Sequence, residues 1–245
     1  MISIIIPTYN RRQSLVKTLD SIEQQDFAND SFEVIVVDDG STDDTRKYVE
    51  NFMQNTKLKL KYYYQENAGP AKARNLGIAK VMGDIVLFCS DDTLFDKKML
   101  YHHGLSHERI GTDAVLGLVL WDEEINPTDF MNFLAPNGSQ FHFNTIKNIN
   151  DAGFTHFYTS NISLKRKWLT KEKFDESFKH AAFEDIDLGL RLEKKGFKIF
   201  YNKYAIVYHS HYYTPELFYQ RMMKVGRAFL LLKKSIKTIS CLCLK

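Results

Sequence analysis

Two adjacent carboxylates follow an apolar segment near residue 90. The run Ile85–Cys89 contains only apolar residues, and Ser90, Asp91 and Asp92 come directly after it. An apolar run without alternation predicts a strand that is buried on both faces. Ligands of open α/β sheets bind at the carboxyl ends of strands, and a divalent cation would offset the repulsion between the two acids. The alternative is that this segment only caps a helix that begins near residue 97.

Polar residues also follow the segments that precede this one. The clusters are 8–10, 38–41 and 67–75, after the predicted strands 2–6, 32–37 and 58–64. The carboxyl ends of parallel strands meet at one edge of a sheet, so all four clusters are predicted to lie together. Gly40 and Gly69 would let the backbone approach a ligand closely, and Arg74 offers planar donors for a phosphate or a base carbonyl. Such a set would suit a nucleoside diphosphate.

Strand and helix patterns alternate through the first half of the sequence. Apolar residues at helical spacing predict helices near 15–25, 45–52, 71–81 and 97–109, and a strand is predicted at 114–120. This alternation predicts an α/β fold with a doubly wound, mostly parallel central sheet flanked by helices. The later predictions are an irregular insertion at 121–150, strands at 157–164, 198–201 and 206–208, a helix at 183–195, and a helix with a frayed tail at 215–245.

Composition and charge exclude several classes of protein. The 245 residues are 44% hydrophobic and 26% charged, which is typical of a globular chain, and a net charge of +3 does not indicate nucleic acid as a partner. The three cysteines predict neither a disulfide framework nor a cysteine zinc site. No signal-peptide pattern is recognised, and no apolar run approaches the roughly 20 residues of a spanning helix. A cytoplasmic location is therefore expected.

The strand-end motifs resemble those of one enzyme family. The first strand lacks a Gly-x-Gly-x-x-Gly turn and the sequence has no Walker loop, which disfavours dinucleotide and P-loop sites. The sequence instead resembles the family 2 glycosyltransferases of GT-A fold over about residues 2–211. The six shared motifs are IIIPTYN at 4–10, VVDDGSTD at 36–43, NxGPAxARN at 67–75, SDD at 90–92, FEDIDLGLRL at 183–192 and VYH at 207–209. The resemblance implies inverting transfer of a sugar from a nucleotide-sugar, commonly UDP-linked, to an acceptor hydroxyl with a divalent cation.

The resemblance also implies roles for individual residues. Asp185 would be the general base, Asp92 would bind Mg²⁺ or Mn²⁺ between the two phosphates, and His209 would complete the metal shell. The nucleotide-sugar would be held by Pro7, Thr8, Tyr9, Asn10, Asp39, Asn67, Arg74, Asp91 near the ribose, and Glu184 beside the sugars. A metal and a base on opposite sides of the anomeric carbon would suit attack opposite the leaving group.

Several of these acids have a plainer alternative. Asp38 could face inward and only cap turns. Glu184, Asp185 and Asp187 could be acids that the dipole of a helix start favours.

The histidines also leave alternatives open. His211 competes with His209 as a metal ligand because both lie on the same face of a strand. The remaining helix histidines, His102, His103 and His107, are expected on a solvated surface.

Two other functions share part of this pattern. A nucleotide-sugar binding module without turnover would need neither Asp185 nor His209. A nucleotidyltransferase-like enzyme would not explain Glu184 and Asp185 before a helix. Because all the expected acids are present, an active enzyme is the preferred interpretation, with a role in cell-surface polysaccharide or glycoconjugate synthesis. The insertion at 121–150 is expected to encode the choice of donor sugar and of a glycan, lipid-linked or protein-linked acceptor.

The predicted domain organisation separates a basic C-terminal segment from the enzyme. Residues 1–215 are predicted to form the glycosyltransferase domain, with a nucleotide-sugar half at 1–112 and an acceptor half at 113–215, and 216–245 to form a basic amphipathic helix and tail. After Glu216 the sequence has seven Lys or Arg residues and no acid. Such a segment predicts peripheral contact with the inner face of an anionic membrane, mainly through 233–245. The alternative is a helix that packs on the sheet.

Overall fold

One eight-stranded sheet forms the centre of the computed structural model, which describes residues 1–136, 138 and 140–242. Its strands are β1 (Ile2–Thr8), β2 (Phe32–Asp38), β3 (Leu60–Tyr64), β4 (Ile85–Cys89), β5 (Thr93–Phe95), β6 (Ala114–Trp121), β7 (Asn161–Lys165) and β8 (Ile199–His209). Their order is β3-β2-β1-β4-β7-β6-β8-β5. Strands β1 to β4 pair in parallel, as do β6 and β8, whereas β7 and β5 run antiparallel to their neighbours. The predicted α/β fold is confirmed.

Helices flank the sheet and bury their apolar stripes against it. They are α1 (Arg12–Glu23), α2 (Thr45–Asn55), α3 (Pro70–Ile78), α4 (Met99–Arg109), α5 (Asp129–Leu134), α6 (Arg166–Leu169), α7 (Glu184–Glu193) and α8 (Pro215–Leu242). The spacing of Leu15, Leu19 and Ile22 places all three on the buried face of α1. Strands β1, β2 and β4 are buried along almost their whole length, which explains why their sequences are mostly apolar without alternation; the buried Ser3 and Glu33 hydrogen-bond to each other.

A short strand separates the two aspartates from the next helix. Strand β5 begins at Thr93, directly after Asp92, and pairs antiparallel with β8, so that Thr93 lies opposite His209. Helix α4 begins only at Met99, which excludes the alternative that residues 90–92 cap it. The pairing of β5 with β8 brings the C-terminal part of the sheet to the two acids.

Some predicted elements differ from the observed ones. Strand β8 is continuous where two strands were expected. Its pairing with β6 shifts register between Gly117 and Leu118, and the residues of β8 opposite this shift interrupt its apolar pattern, so the sequence suggests two strands. The insertion 121–150 contains the regular helix α5, and the four-residue helix α6 was not expected.

Helix α8 extends to Leu242 instead of fraying. It packs its buried residues Ala228 and Leu232 against Phe178 and Ala182, while Phe218 near its start packs against the main core. The predicted tail residues 243–245 lie outside the described residues. Within the described part of the chain, no helix combines the length and the apolarity needed to cross a membrane.

Two histidines of α4 are buried, so the prediction of a solvated position is wrong for them. Nδ1 of His103 and Nε2 of His107 lie 2.7 and 2.8 Å from the hydroxyl of Ser163, and Nε2 of His103 lies 2.9 Å from the side-chain oxygen of Asn161. Burial lowers the pKa of His103 to about 3 and that of His107 to about 4, so both imidazoles are neutral at pH 7. Their partners on β7 explain why polar residues are tolerated in this layer.

Candidate active site

The carboxyl ends of the central parallel strands bring the first predicted clusters together. The hydroxyl of Thr8 donates a hydrogen bond of 2.7 Å to Oδ2 of Asp91, which joins the ends of β1 and β4. The backbone N–H of Asp39 donates to the carbonyl of Thr8 at 2.8 Å, which joins the ends of β1 and β2. Asp39, Asp91 and Asp92 are all buried. The structure therefore gathers these acids at one edge of the sheet.

Asp92 is approached by nitrogen groups from two directions. Nη1 of Arg11 donates a hydrogen bond to Oδ2 of Asp92 and lies 3.5 Å from Oδ1 of Asp91. Nε2 of His209 lies 3.3 Å from Oδ1 of Asp92, and Nδ1 of His211 lies 4.0 Å from Oδ2. Oδ1 of Asp92 and Nδ1 of His209 are buried and make no hydrogen bond to any described residue. Each atom therefore has capacity for a further partner, although Nε2 of His209 already lies beside Oδ1 of Asp92.

The two aspartates ionise differently. Burial and the charge of Asp92 raise the pKa of Asp91 to about 7. Burial also opposes ionisation of Asp92, but His209 and Arg11 outweigh it and hold the pKa of Asp92 well below its usual range. Asp92 therefore carries the permanent negative charge of the pair, and Asp91 exchanges a proton near neutral pH.

The donor set at Asp92 fits a divalent cation that takes part of its shell from a bound ligand. Across the described residues, no group of three or more His, Cys, Asp or Glu side chains is arranged to hold a metal ion by itself. Asp92 and His209 nevertheless offer a buried carboxylate oxygen that lies 3.3 Å from an imidazole nitrogen. Mg²⁺ sites commonly use one or two carboxylates together with substrate phosphates. The pair suits Mg²⁺ or Mn²⁺ completed by a diphosphate.

An aromatic ring fixes the imidazole of His209. The pairing of β6 with β8 places Trp121 opposite His209, and the two rings stack with centroids 5.4 Å apart and an interplanar angle of 18°. Behind them, Tyr213 lies 4.4 Å from the ring of His211 and accepts a hydrogen bond of 2.7 Å from Arg221. The orientation of His209 is therefore set by packing.

Asp39 holds the loop that leads into α3. Its carboxylate accepts hydrogen bonds from Nε2 of Gln65 at 2.6 Å and from the backbone N–H groups of Ala68 and Gly69 at 2.9 Å each. The side-chain amide of Asn67 donates to the carbonyl of Asp39 at 3.0 Å. Both predicted nucleotide-binding residues thus shape this loop through contacts within the chain.

Gly40 and Gly69 were expected to let the backbone approach a ligand, and in the structure they let it approach other backbone segments. Gly40 and Gly69 have φ of +85° and +96°, which other residues rarely adopt. A Cβ atom on Gly40 would lie 2.6 Å from the backbone N of Asn67, and one on Gly69 would lie 2.7 Å from the carbonyl O of Lys179. Both therefore permit close packing of backbone against backbone.

The motif at 7–10 forms an exposed rim beside the second cluster. Tyr9 is 47% exposed, and Asn10 adopts a left-handed φ of 52°. The side-chain oxygen of Asn10 accepts hydrogen bonds from the backbone N–H groups of Thr42 at 2.7 Å and Asp43 at 3.3 Å. Pro7 precedes this rim within β1.

Asp38 faces inward, as its alternative predicted. It accepts hydrogen bonds from the backbone N–H of Ser41 at 2.7 Å and from the hydroxyl of Tyr62 at 2.6 Å. These contacts close the turn after β2.

Arg74 and Glu184 form a buried ion pair that joins α3 to α7. Nη1 of Arg74 lies 2.7 Å from Oε1 of Glu184, and both side chains are about 95% buried. The guanidinium also lies 5.5 Å from the ring centroid of Phe174. Nε of Arg74 and Oε2 of Glu184 have no hydrogen-bond partner within the described chain. The predicted ligand-binding residue Arg74 is therefore bound to Glu184 of α7 in this structure.

Asp185 lies in the first turn of α7 with a perturbed ionisation. Its carboxylate accepts hydrogen bonds from the backbone N–H groups of Ile186 at 2.8 Å and Thr159 at 3.4 Å. Burial and the neighbouring charge of Glu184 raise the pKa of Asp185 to about 7. Directly before this turn, Phe183 has a left-handed φ of 65°, a strained conformation for a bulky residue. A carboxylate with such a pKa can accept a proton near pH 7.

Sequence reasoning missed Arg11 and Trp121 at this site. Arg11 directly follows the motif at 4–10, so its position in the chain was a usable signal. Trp121 contacts His209 only because β6 pairs with β8, which the sequence does not show.

Comparisons with known proteins identify the family of this chain. The profile of the family described as "Glycosyl transferase family 2" matches residues 3–172. The uncharacterized glycosyltransferase YfnE of Bacillus subtilis is 31% identical over 240 residues, which cover 79% of this chain and 60% of YfnE. The poly(ribitol-phosphate) beta-N-acetylglucosaminyltransferase TarS of Staphylococcus aureus is 39% identical over 98 residues, which cover 40% of this chain and 17% of TarS. The chain thus spans less than two thirds of either relative.

Solved structures show the same fold. A crystal structure of TarS residues 1–349 has a TM-score of 0.70 and 26% identity, covering 91% of this chain and 64% of that one, and a further TarS structure is a complex with UDP-GlcNAc. The mannosyltransferase PcManGT of Pyrobaculum calidifontis, in complex with GDP-Man and Mn²⁺, has a TM-score of 0.65 and 22% identity, covering 85% of this chain and 56% of that one, and shares the fold. On the extent of the family match and the similarity to YfnE, the chain belongs to glycosyltransferase family 2.

Proposed function

We propose that this chain is an inverting glycosyltransferase that moves a sugar from a UDP-linked donor to an acceptor hydroxyl. The observation that carries the proposal is the buried Asp91–Asp92 pair at the carboxyl end of β4, with Oδ1 of Asp92 3.3 Å from Nε2 of His209. Family membership and the UDP-GlcNAc bound to TarS support a UDP-linked donor. The name of TarS supports a polymer as acceptor, in line with a role in cell-surface polysaccharide or glycoconjugate synthesis.

The donor is proposed to bind along the edge formed by the first four strands. Tyr9 and Asn10 offer an exposed rim, and Thr8 orients Asp91 toward the ribose. Asp39 and Asn67 would act by holding the loop against which the nucleotide lies. Arg74 would act on the sugar side through Glu184, whose second oxygen is unpartnered among the described residues.

The proposed chemistry depends on two acids, Asp92 and Asp185, whose pKa values are shifted in opposite directions. A divalent cation at Asp92 and His209 would stabilise the negative charge that develops on the departing diphosphate. Asp185, with its pKa of about 7, would take the proton of the acceptor hydroxyl as that oxygen attacks the anomeric carbon. The carbon–oxygen bond to the diphosphate breaks as the new one forms on the opposite face, so the anomeric centre inverts.

The Asp92→Asn variant is expected to lose Mn²⁺-dependent binding of UDP while keeping its fold. Asparagine retains the size of the side chain but not the charge that attracts a cation. Calorimetric titration of UDP with and without Mn²⁺ measures the effect, and Asp44→Asn, which removes an exposed acid paired with Arg12, is the control. Equal UDP affinity with and without Mn²⁺ in the wild-type protein would rule out the metal role.

A non-catalytic nucleotide-sugar binding module is the second candidate. It would bind UDP and Mn²⁺ in the same experiment but release no free sugar or UDP from a donor. The near-neutral pKa of Asp185 favours the enzyme, because a binding module needs no group poised to accept a proton.

Peripheral contact with an anionic membrane is also proposed, and the support for it lies upstream of the predicted tail. Helix α8 exposes a second apolar stripe beside its packed face, formed by Tyr219, Met222, Met223, Phe229 and Leu230. The helix carries cations and no acid beyond Glu216. A basic helix with an exposed apolar stripe suits the interface of an anionic bilayer.

The Leu230→Ser variant is expected to bind anionic vesicles more weakly than the wild-type chain. Leu230 is 63% exposed within the stripe, whereas Met82, which is 54% exposed elsewhere, provides the control variant Met82→Ser. Co-sedimentation with vesicles of anionic lipid at low and high salt measures binding. If the wild-type chain stays in the supernatant at low salt, the membrane proposal fails.

A further inference from the structure

Arg11 is the cationic side chain that bridges the two strand-end aspartates. Its Nη1 donates to Asp92 and lies 3.5 Å from Asp91. The two carboxylates are more than 90% buried, whereas the side chain of Arg11 is 39% exposed. The acids are therefore fixed, and the arginine reaches them from a position that is open to solvent.

The contacts of Arg11 and the expected metal contacts converge on one carboxylate. Arg11 binds Oδ2 of Asp92, while Oδ1 faces Nε2 of His209. A divalent cation on Asp92 would lie close to the guanidinium, and like charges at such a distance repel strongly in a buried site. A stable arrangement of Arg11 beside a metal ion therefore requires an anion between them.

The diphosphate of the donor supplies that anion. An arginine guanidinium binds phosphate oxygens with parallel hydrogen bonds, and it can do so from the rim of a site. The rim residues Tyr9 and Asn10 directly precede Arg11 in the chain, so a nucleotide that lies on this rim comes within reach of the arginine.

We infer that Arg11 is the resident counter-ion of the Asp91–Asp92 pair. A divalent cation would displace the Arg11 guanidinium from these carboxylates, and the guanidinium would then bind the diphosphate of the donor. Metal and nucleotide consequently bind cooperatively, and Arg11 carries part of the coupling between them. This inference rests on the proposed function, because it requires a diphosphate donor and a cation at Asp92. The inference assigns to Arg11 a position that depends on whether the cation and the diphosphate are bound.

The test compares Mn²⁺ binding alone with Mn²⁺ binding at saturating UDP, measured from the free Mn²⁺ signal in electron paramagnetic resonance. In the Arg11→Gln variant, Mn²⁺ alone should bind roughly tenfold more tightly than in the wild type, and UDP should enhance Mn²⁺ binding by a smaller factor. The neighbouring variant Arg12→Gln removes the same charge from a side chain that pairs with the exposed Asp44, and it should match the wild type.

A second variant protects the test against misfolding. Arg11→Lys keeps the charge but lacks the planar fork that spans both carboxylates, so its Mn²⁺ affinity should fall between those of the wild type and Arg11→Gln. Mn²⁺ should also raise the melting temperature of Arg11→Gln more than that of the wild type. Unchanged Mn²⁺ affinity in both Arg11 variants, with UDP binding intact, overturns the inference alone. Absence of UDP binding to the wild type in the presence of Mn²⁺ overturns the proposed function as well.

Discussion

Sugar transfer by the Asp185→Asn variant is expected to fall by roughly 10²–10⁴-fold, while its affinity for UDP stays close to that of the wild type. Asparagine keeps the size of the side chain and an oxygen that can accept from Ile186 and Thr159. It cannot take a proton from the acceptor hydroxyl. Initial rates of transfer and calorimetric titration of UDP measure the two effects separately.

Asp187 provides the matched control for this prediction. It lies in the same first turn of α7, but Oδ2 of its carboxylate is held by a hydrogen bond of 2.9 Å from Arg191. Asp187→Asn should therefore keep transfer within a few-fold of the wild type. Near-normal transfer by Asp185→Asn, or a loss confined to Asp187→Asn, would assign the base to another residue.

The ionisation of Asp185 also predicts a pH dependence. The carboxylate is an effective base only when ionised, and its pKa is raised to about 7, so transfer should decline as the pH falls below about 7 and level off above it. The pKa of Asp91 is also about 7, and the Asp185→Asn variant distinguishes the contributions of the two carboxyl groups to the pH dependence. If Asp185 causes the acid limb, the residual transfer of Asp185→Asn should lose that limb, and a limb that persists would belong to Asp91.

The Arg74→Met variant is expected to lose about 3–5 kcal/mol of unfolding free energy. The change leaves the buried carboxylate of Glu184 without its partner at 2.7 Å, next to the raised-pKa carboxyl of Asp185. Chemical denaturation at pH 7 measures the loss. The exposed pair of Arg46 and Glu50 has the same chemistry at 2.9 Å, and Arg46→Met should cost no more than about 1 kcal/mol.

A second substitution separates charge burial from lost packing. Glu184→Gln added to Arg74→Met removes the unpaired charge, so the double variant should recover much of the lost stability. A double variant that is no more stable than Arg74→Met would show that the arginine acts mainly through its packing on Phe174.

The sequence was informative where a local pattern decides the structure. The sequences of β1, β2 and β4 are mostly apolar because nearly every residue of these strands is buried, on either face of the sheet. The acids that follow these strands meet because parallel strands share a carboxyl edge. The Thr8–Asp91 hydrogen bond is a direct result of that rule.

The remaining features depend on contacts between distant parts of the chain. Arg74 and Glu184 are 110 residues apart, and no local pattern pairs them. His103 is a polar residue on a helix, which favours a solvated position, yet Ser163 and Asn161 of β7 provide partners that make its burial tolerable. Strand β5 has three residues, too few to show a period, although it is the element that brings His209 to Asp92.

The most direct test of the account is turnover of UDP-, GDP- and dTDP-linked sugars, read as release of free nucleotide with Mn²⁺ and after its removal by a chelator. The wild-type chain should release UDP from at least one UDP-sugar when Mn²⁺ is present, and release should stop on chelation and return when Mn²⁺ is restored. Asp92→Asn and Asp185→Asn should both stay near background. Nucleotide release that is equal with and without the metal, or equal in the wild type and Asp185→Asn, would contradict the account.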